Sequence, residues 1–263
     1  MNGTELPEPD AVLLLSGDCG RLVLENGGET YRAEECMSAV AAAYGGRETE
    51  CYATPTGAMF SMSDPFGKVH TRIIRIKRRA MDMGNLIRLN DLKRGAQSGG
   101  LSFADARALA DAVSLAPRPN TARILCGAAL VAAFFCLLFG GGWKEAIVSA
   151  VIGLALRFTL DLISRDRPIP DFFLNSLGGA IAAFLAAAAR AFIPSLATDP
   201  VIIGVLMLLV PGVIIVNAIR DLMSGDLVAG VARAADAFVA AAAISLGTAV
   251  ALKLAALIPG GAP

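Results

Sequence analysis

The sequence predicts a membrane protein in which a five-helix, all-α transmembrane bundle follows a cytoplasmic α+β domain. Three observations carry this reading. The chain has 263 residues, 55% hydrophobic and 17% charged, with a mean hydropathy of +0.61, which is too apolar for an ordinary soluble domain. The charge is uneven: residues 1–120 hold 14 Lys/Arg and 15 Asp/Glu, whereas residues 121–263 hold 9 and 8. The run from Ile124 to Trp143 carries no charge over 20 residues, enough to cross about 30 Å of hydrocarbon. The predicted boundary lies near residue 118, giving a first domain over 1–118 and a membrane domain over 119–263.

The first domain opens with two helices over residues 10–45, parted at Asn26-Gly27-Gly28, the second starting near Thr30. Short β-favouring runs follow at Cys51 to Thr54, Gly57 to Ser63 and Val69 to Lys77. Pro55 and the turn cluster Ser63-Asp64-Pro65-Phe66-Gly67 separate them, which predicts a small antiparallel sheet. Two more helices are expected over about 83–97 and 102–115, the latter opened by Ser102 with Asp105 three positions on, a capping-box pattern. The linker Ala116-Pro117-Arg118-Pro119-Asn120 ends the domain, since two prolines in three residues oppose a continuous helix.

Five spans are predicted beyond it, over about 124–143, 145–163, 172–189, 201–219 and 234–258. Cations collect before the first span, in Ser164-Arg165-Asp166-Arg167 and between Arg220 and Arg233, while the other two connections hold one. That asymmetry puts the amino terminus in the cytoplasm and the carboxyl terminus outside. The first ten residues carry Glu5, Glu8 and Asp10 where a secretory leader would be basic. Five cysteines without a CxxC pair and a single histidine, His70, argue for reduced thiols and against a zinc site. His70 is expected to be exposed or structural.

Composition also excludes functions. A net charge of zero leaves no excess of cations for nucleic acid. Residues 68–94 carry 9 cations and 2 anions against 3 and 10 in residues 1–50, which predicts internal docking of the two stretches; a surface for anionic lipid or substrate is the sharper alternative. No GxxxxGK[ST], GxSxG or HExxH motif is present, so neither an ATP motor, a cofactor nor an enzyme is implied.

Candidate functional residues are the ionisable groups within or beside the spans, because charge in the bilayer is expensive and tends to face a bundle interior or a wet cavity. Arg157 and Asp161, four apart, share a helix face and can pair; they are either an internal pair that snorkels or a carboxylate and proton site. The second constellation runs through Pro211, Gly212, Asn217, Arg220, Asp221, Asp226, Gly230 and Arg233. Pro211 removes a backbone donor and Gly212 loosens the same point, so a kink or break is expected. Discontinuous helices of this kind line the binding sites of transporters, while a simple kink followed by a solvated loop is the plain alternative.

The order of features resembles a known family. Glu25-Asn26-Gly27-Gly28-Glu29-Thr30-Tyr31-Arg32-Ala33-Glu34-Glu35 and Pro55-Thr56-Gly57, then five spans with Val210-Pro211-Gly212, Asn217, Asp221 and Gly225-Asp226, are similar to the threonine/serine exporters. The likeness covers nearly the whole chain but only the first half of the full-length exporters. It is closest to the split form, whose larger subunit works with a separately encoded small membrane protein, a branch associated with succinate export. The resemblance implies a proton-driven exporter of small hydrophilic metabolites in a bacterial inner membrane. The break at Pro211-Gly212 would then line the path, Asn217 and Arg157 or Arg220 would contact a substrate carboxylate, and Asp161 or Asp221 would exchange the proton. The rival reading is a membrane-anchored module whose cytoplasmic domain senses a ligand.

Overall fold

A computed structural model describes residues 7–77, 79–116, 120–165 and 169–257. Glu5, Arg78, Pro117-Arg118-Pro119, Asp166, Arg167 and the end of the fifth predicted span at 258 lie outside the described residues. The chain divides into two compact units, one of Met1–Pro117 with Val216–Ala234, the other of Arg118–Ile215 with Ala235–Pro263.

In the first unit α1 (Pro9–Glu25) and α2 (Thr30–Ala43) are separated by the expected Asn26-Gly27-Gly28 turn. Gly27 sits at φ +85°, the left-handed region that a side chain resists. Strands β1 (Arg47–Thr54), β2 (Gly57–Ser63) and β3 (Val69–Arg75) form an antiparallel meander in that order. Its register sets Tyr52 opposite Met59 and Met59 opposite Ile73 on an exposed face, while Phe60, Met62 and Ile74 face the helices. The β2–β3 turn is held by Asp64, whose carboxylate accepts from the backbone N–H of Phe66 at 2.8 Å and of Lys68 at 2.9 Å. Those bonds, with His70 beside them, keep the Asp64 carboxyl below its ordinary range. His70 bridges Asp64 and Asp10, a structural role.

Helices α3 (Met83–Gln97) and α4 (Phe103–Ser114) complete this unit. Asp82 caps α3 and Ser102 caps α4, each accepting from the backbone N–H three residues on. The core is shared by Leu15, Leu22, Met37, Val40, Phe60, Met62, Leu89 and Leu92. Around it the acidic and basic stretches meet as expected: Asp18 pairs with Arg72 at 3.2 Å and Arg107 at 3.0 Å, and Glu35 pairs with Lys93 at 2.8 Å. All five cysteines are free thiols.

The helices that follow are α5 (Thr121–Leu138), α6 (Trp143–Ile163), α7 (Asp171–Phe192), α8 (Thr198–Leu206), α9 (Gly212–Met223) and α10 (Leu227–Ala256). Four of them, α5, α6, α7 and α10, are long and apolar enough to cross a bilayer, and only 17–33% of each is buried within the protein. The exposed remainder, with Phe134, Val151, Phe158 and Phe238 among it, is a surface that lipid rather than water would cover.

The fourth predicted span, over 201–219, is broken at the point where Pro211 and Gly212 led a kink or break to be expected, giving two helices. The ladder stops after Leu206, passes through turns at 207–209 and resumes at Gly212. Pro211 has no N–H to donate, and the Gly212 N–H turns back to the Val210 carbonyl at 2.9 Å. Neither α8 with 9 residues nor α9 with 12 spans a bilayer alone.

Small residues bring the helices of the second unit together. Ser149 Oγ donates to the Ala132 carbonyl at 2.9 Å, joining α6 to α5. At the α7–α10 crossing the backbone of Ser176 lies so close to Gly247 that an added Cβ would collide with its carbonyl oxygen. Gly247→Ala is therefore expected to destabilise the protein by about 1–3 kcal/mol or more through overpacking. Gly127→Ala, where a Cβ meets nothing within 4 Å, is expected to be neutral or slightly stabilising, as alanine in a helix is favoured over glycine. Thermal unfolding in detergent separates the two; equal melting points would contradict the packing described.

Candidate functional site

Within the first unit, the turn between α1 and α2 receives the hairpin formed by the end of α9 and the start of α10. The hairpin is tight because Gly230 packs on Leu222 and the Ala218 carbonyl, where a Cβ would stand 2.5 Å from Leu222. Gly225 turns the chain at φ +89°. This geometry points Asn217, Arg220, Asp221, Asp226 and Arg233 toward residues 27–30, about 190 positions earlier in the chain.

The contacts are polar and mostly buried. The Asn217 side-chain amide donates to the Gly27 carbonyl at 3.2 Å, and an Arg233 N–H donates to the Gly28 carbonyl at 2.9 Å. Arg220 pairs with Glu29, which also holds Arg32 at 3.1 Å. Arg233 Nε lies 2.9 Å from Asp221 Oδ2. Thr30, the first residue of α2, places its hydroxyl 2.9 Å from Asp221 Oδ1 and 3.2 Å from Asp226 Oδ2. Asp221 and Thr30 are 0% exposed and Arg233 7%. A buried carboxylate needs both a counter-charge and hydrogen bonds; Arg233 supplies the first and Thr30 the second.

One turn further along α2, Glu34 is half-buried and accepts from the Ala53 N–H at 2.7 Å. Burial pushes its carboxyl above the ordinary range, with Asp226 and Asp221 adding to the shift and the Ala53 bond opposing it. Among the described residues no three His, Cys, Asp or Glu side chains converge as a metal site.

Five of the sequence-predicted residues, Asn217, Arg220, Asp221, Asp226 and Arg233, are thus brought together. Arg157, Asp161, Pro211 and Gly212 belong to the other unit. There Arg157 and Asp161 form a two-contact pair within α6, at 2.9 and 3.3 Å, with side chains 44% and 33% exposed; Pro211 and Gly212 mark the break before α9. Gly27, Gly28, Glu29, Thr30 and Glu34 were not site candidates from sequence. The available signal was their place in the Glu25 to Glu35 motif, but a contact across so long a separation leaves no periodicity to read.

Two outcomes follow. Removing either member of the buried pair, by Asp221→Leu or Arg233→Met, is expected to cost about 3–5 kcal/mol, because the survivor is left as an uncompensated buried charge. The double variant should cost less than the sum, and strict additivity of unfolding free energies would contradict the pairing. For Glu34, a raised carboxyl holds its proton more tightly folded than unfolded, so stability is lost as pH rises from the ordinary value of 4.5 through the raised one. Glu34→Gln keeps an acceptor for Ala53 but removes the charge. Its melting point relative to the parent should rise between about pH 4 and about pH 8; a flat or falling difference would contradict the burial argument.

A family described as "Putative threonine/serine exporter" matches residues 15–255. The chain is 28% identical over 179 residues to a "Probable threonine/serine exporter" of Mycobacterium tuberculosis, covering 68% of this chain and 34% of that protein. It thus spans about a third of that relative's length. It is 24% identical over 252 residues to "Probable succinate transporter subunit YjjP" of Klebsiella aerogenes, covering 94% of this chain and 95% of that one. No solved structure matches. With four apolar helices of spanning length and a family match over nearly its whole length, this multi-pass membrane protein belongs to the threonine/serine exporter family of transporters.

Proposed function

We propose that this chain is the larger subunit of a secondary exporter that moves small hydrophilic metabolites, hydroxy amino acids or succinate-type dicarboxylates, out of a bacterial cell across its inner membrane, driven by protons. The observation that carries the reading is a buried ionic cluster, Asp221 with Arg233 and Thr30, on helices that continue from the transport unit's broken segment. Like-for-like length with a named transporter subunit supports a complex with a small integral membrane protein supplying the second half.

In this reading α5, α6 and α7 are three crossings and the broken α8–α9 segment is the fourth, its break lying within the membrane as in transporters with discontinuous helices. With α10 the crossings number five, and the cations of Arg220 and Arg233 fall inside with the amino terminus. The irregular backbone at Pro211-Gly212 then lines the path. Asn217 with Arg220 meets the substrate carboxylate, and Asp221 or Asp161 is the candidate for exchanging the proton.

In everted vesicles containing both subunits, Asp221→Asn is expected to abolish dependence of substrate movement on the proton gradient, while Asp161→Asn separates the two carboxylate candidates. Unchanged coupling in Asp221→Asn excludes that residue. Co-purification with the small membrane partner is expected, and full transport by this chain alone in liposomes would contradict the two-part assembly.

A further inference from the structure

We propose that the Thr30 hydroxyl relays the coupling proton from Asp226 to Asp221. The inference rests on the exporter reading and deepens it, adding two residues of the relay and its direction.

A threonine hydroxyl has one hydrogen to donate and lone pairs to accept with. Thr30 Oγ1 stands within hydrogen-bond distance of two carboxylates, 2.9 Å from Asp221 Oδ1 and 3.2 Å from Asp226 Oδ2. If both were ionised, one bond would form and the other contact would set two oxygen lone pairs against each other. The bridge is complete when one carboxyl carries a proton and donates it to Thr30. Asp221 is the member held as a carboxylate, because Arg233 lies against its other oxygen at 2.9 Å. Asp226, the partly exposed member, is the one placed to take up an arriving proton and pass it to Thr30.

Access gives the direction. Asp221 and Thr30 have no exposed surface, whereas Asp226 at the hairpin turn is only partly buried, so Asp226 meets solvent and Asp221 does not. The other charges facing the bridge are Glu29, which precedes α2, Glu34 from α2, Arg220 from α9 and Arg233 from α10; Glu29 is occupied by Arg220 and Arg32. Glu34 adds negative potential on the Asp226 side, and its own upward-shifted carboxyl, to which Asp226 and Asp221 contribute, is consistent with a proton held among these groups.

The transfer balances. The Asp226 O–H bond breaks as its proton bonds to Thr30 Oγ1, the original Thr30 O–H bond breaks as that proton bonds to Asp221 Oδ1, and threonine is regenerated. One proton has moved and nothing is oxidised or reduced. Asp221, now neutral, no longer balances Arg233, which keeps the Gly28 carbonyl at 2.9 Å. Because Arg233 stands on the 30-residue α10, arrival of a proton weakens the hold of the α1–α2 turn on a membrane helix.

The test uses the full chain with its partner in everted vesicles. Thr30→Val removes the hydroxyl at nearly constant shape, and proton-coupled transport is expected to fall about tenfold or more, the lower range for loss of a positioned proton-transfer group. Thr30→Ser keeps the hydroxyl and is expected to restore coupling and its pH profile. Parental coupling in a folded Thr30→Val variant overturns the relay while leaving the exporter reading intact; absence of any proton-linked transport in the parent overturns the reading beneath it. Should Thr30→Val fail to fold, Asp226→Asn decides: proton-coupled transport is expected to fall as for Thr30→Val, and parental coupling in Asp226→Asn overturns the proposal.

Discussion

Asp221 is a carboxylate with no exposed surface, and its ion pair with Arg233 is the interaction on which the arrangement of the first unit depends. Taking each ion from water costs several kcal/mol, recovered only where the geometry is good and the remaining polar atoms are met. Thr30 donates to Oδ1, while Arg233 Nε lies 2.9 Å from Oδ2 as a charge partner without hydrogen-bond alignment. The same arginine reaches Gly28 and the neighbouring Asn217 reaches Gly27. Segment 216–234 is therefore bound to the α1–α2 turn by groups that cannot be left unpaired, which is a stronger constraint than surface ion pairs would impose.

The second unit is held by different physics. Helix association in lipid gains nothing from hiding apolar surface, so close approach must come from small side chains and direct hydrogen bonds. Gly247 against the Ser176 backbone and Ser149 against the Ala132 carbonyl are of this kind. Arg157 and Asp161 show the contrast within one chain. Their partners are near neighbours on a single helix turn and their side chains remain partly exposed, so the pair organises α6 and ties no second element to it.

Local features were legible in the sequence because each rests on a few adjacent residues. The Asn26-Gly27-Gly28 turn, the Asp64 turn, the Ser102 cap and the apolar runs of α5, α6, α7 and α10 all follow from turn chemistry, capping and hydropathy. The break between α8 and α9 was legible as well, because Pro211 lacks a donor and Gly212 loosens the same point. The candidate cluster was half legible. Asn217 and Asp221 at a spacing of four mark a polar stripe on α9, yet its partners at Gly27 to Thr30 are separated by about 190 positions, and only folding brings them into register. A buried hydroxyl such as Thr30 carries no hydropathy or charge signal at all.

The most direct measurement of the central claim is hydrogen exchange on the intact protein, comparing the parent with Asp221→Asn. If the buried pair binds the two segments together, protection of the amides over 27–33 should fall together with that over 217–233. Loss confined to 217–233, with the α1–α2 turn unchanged, would contradict the account.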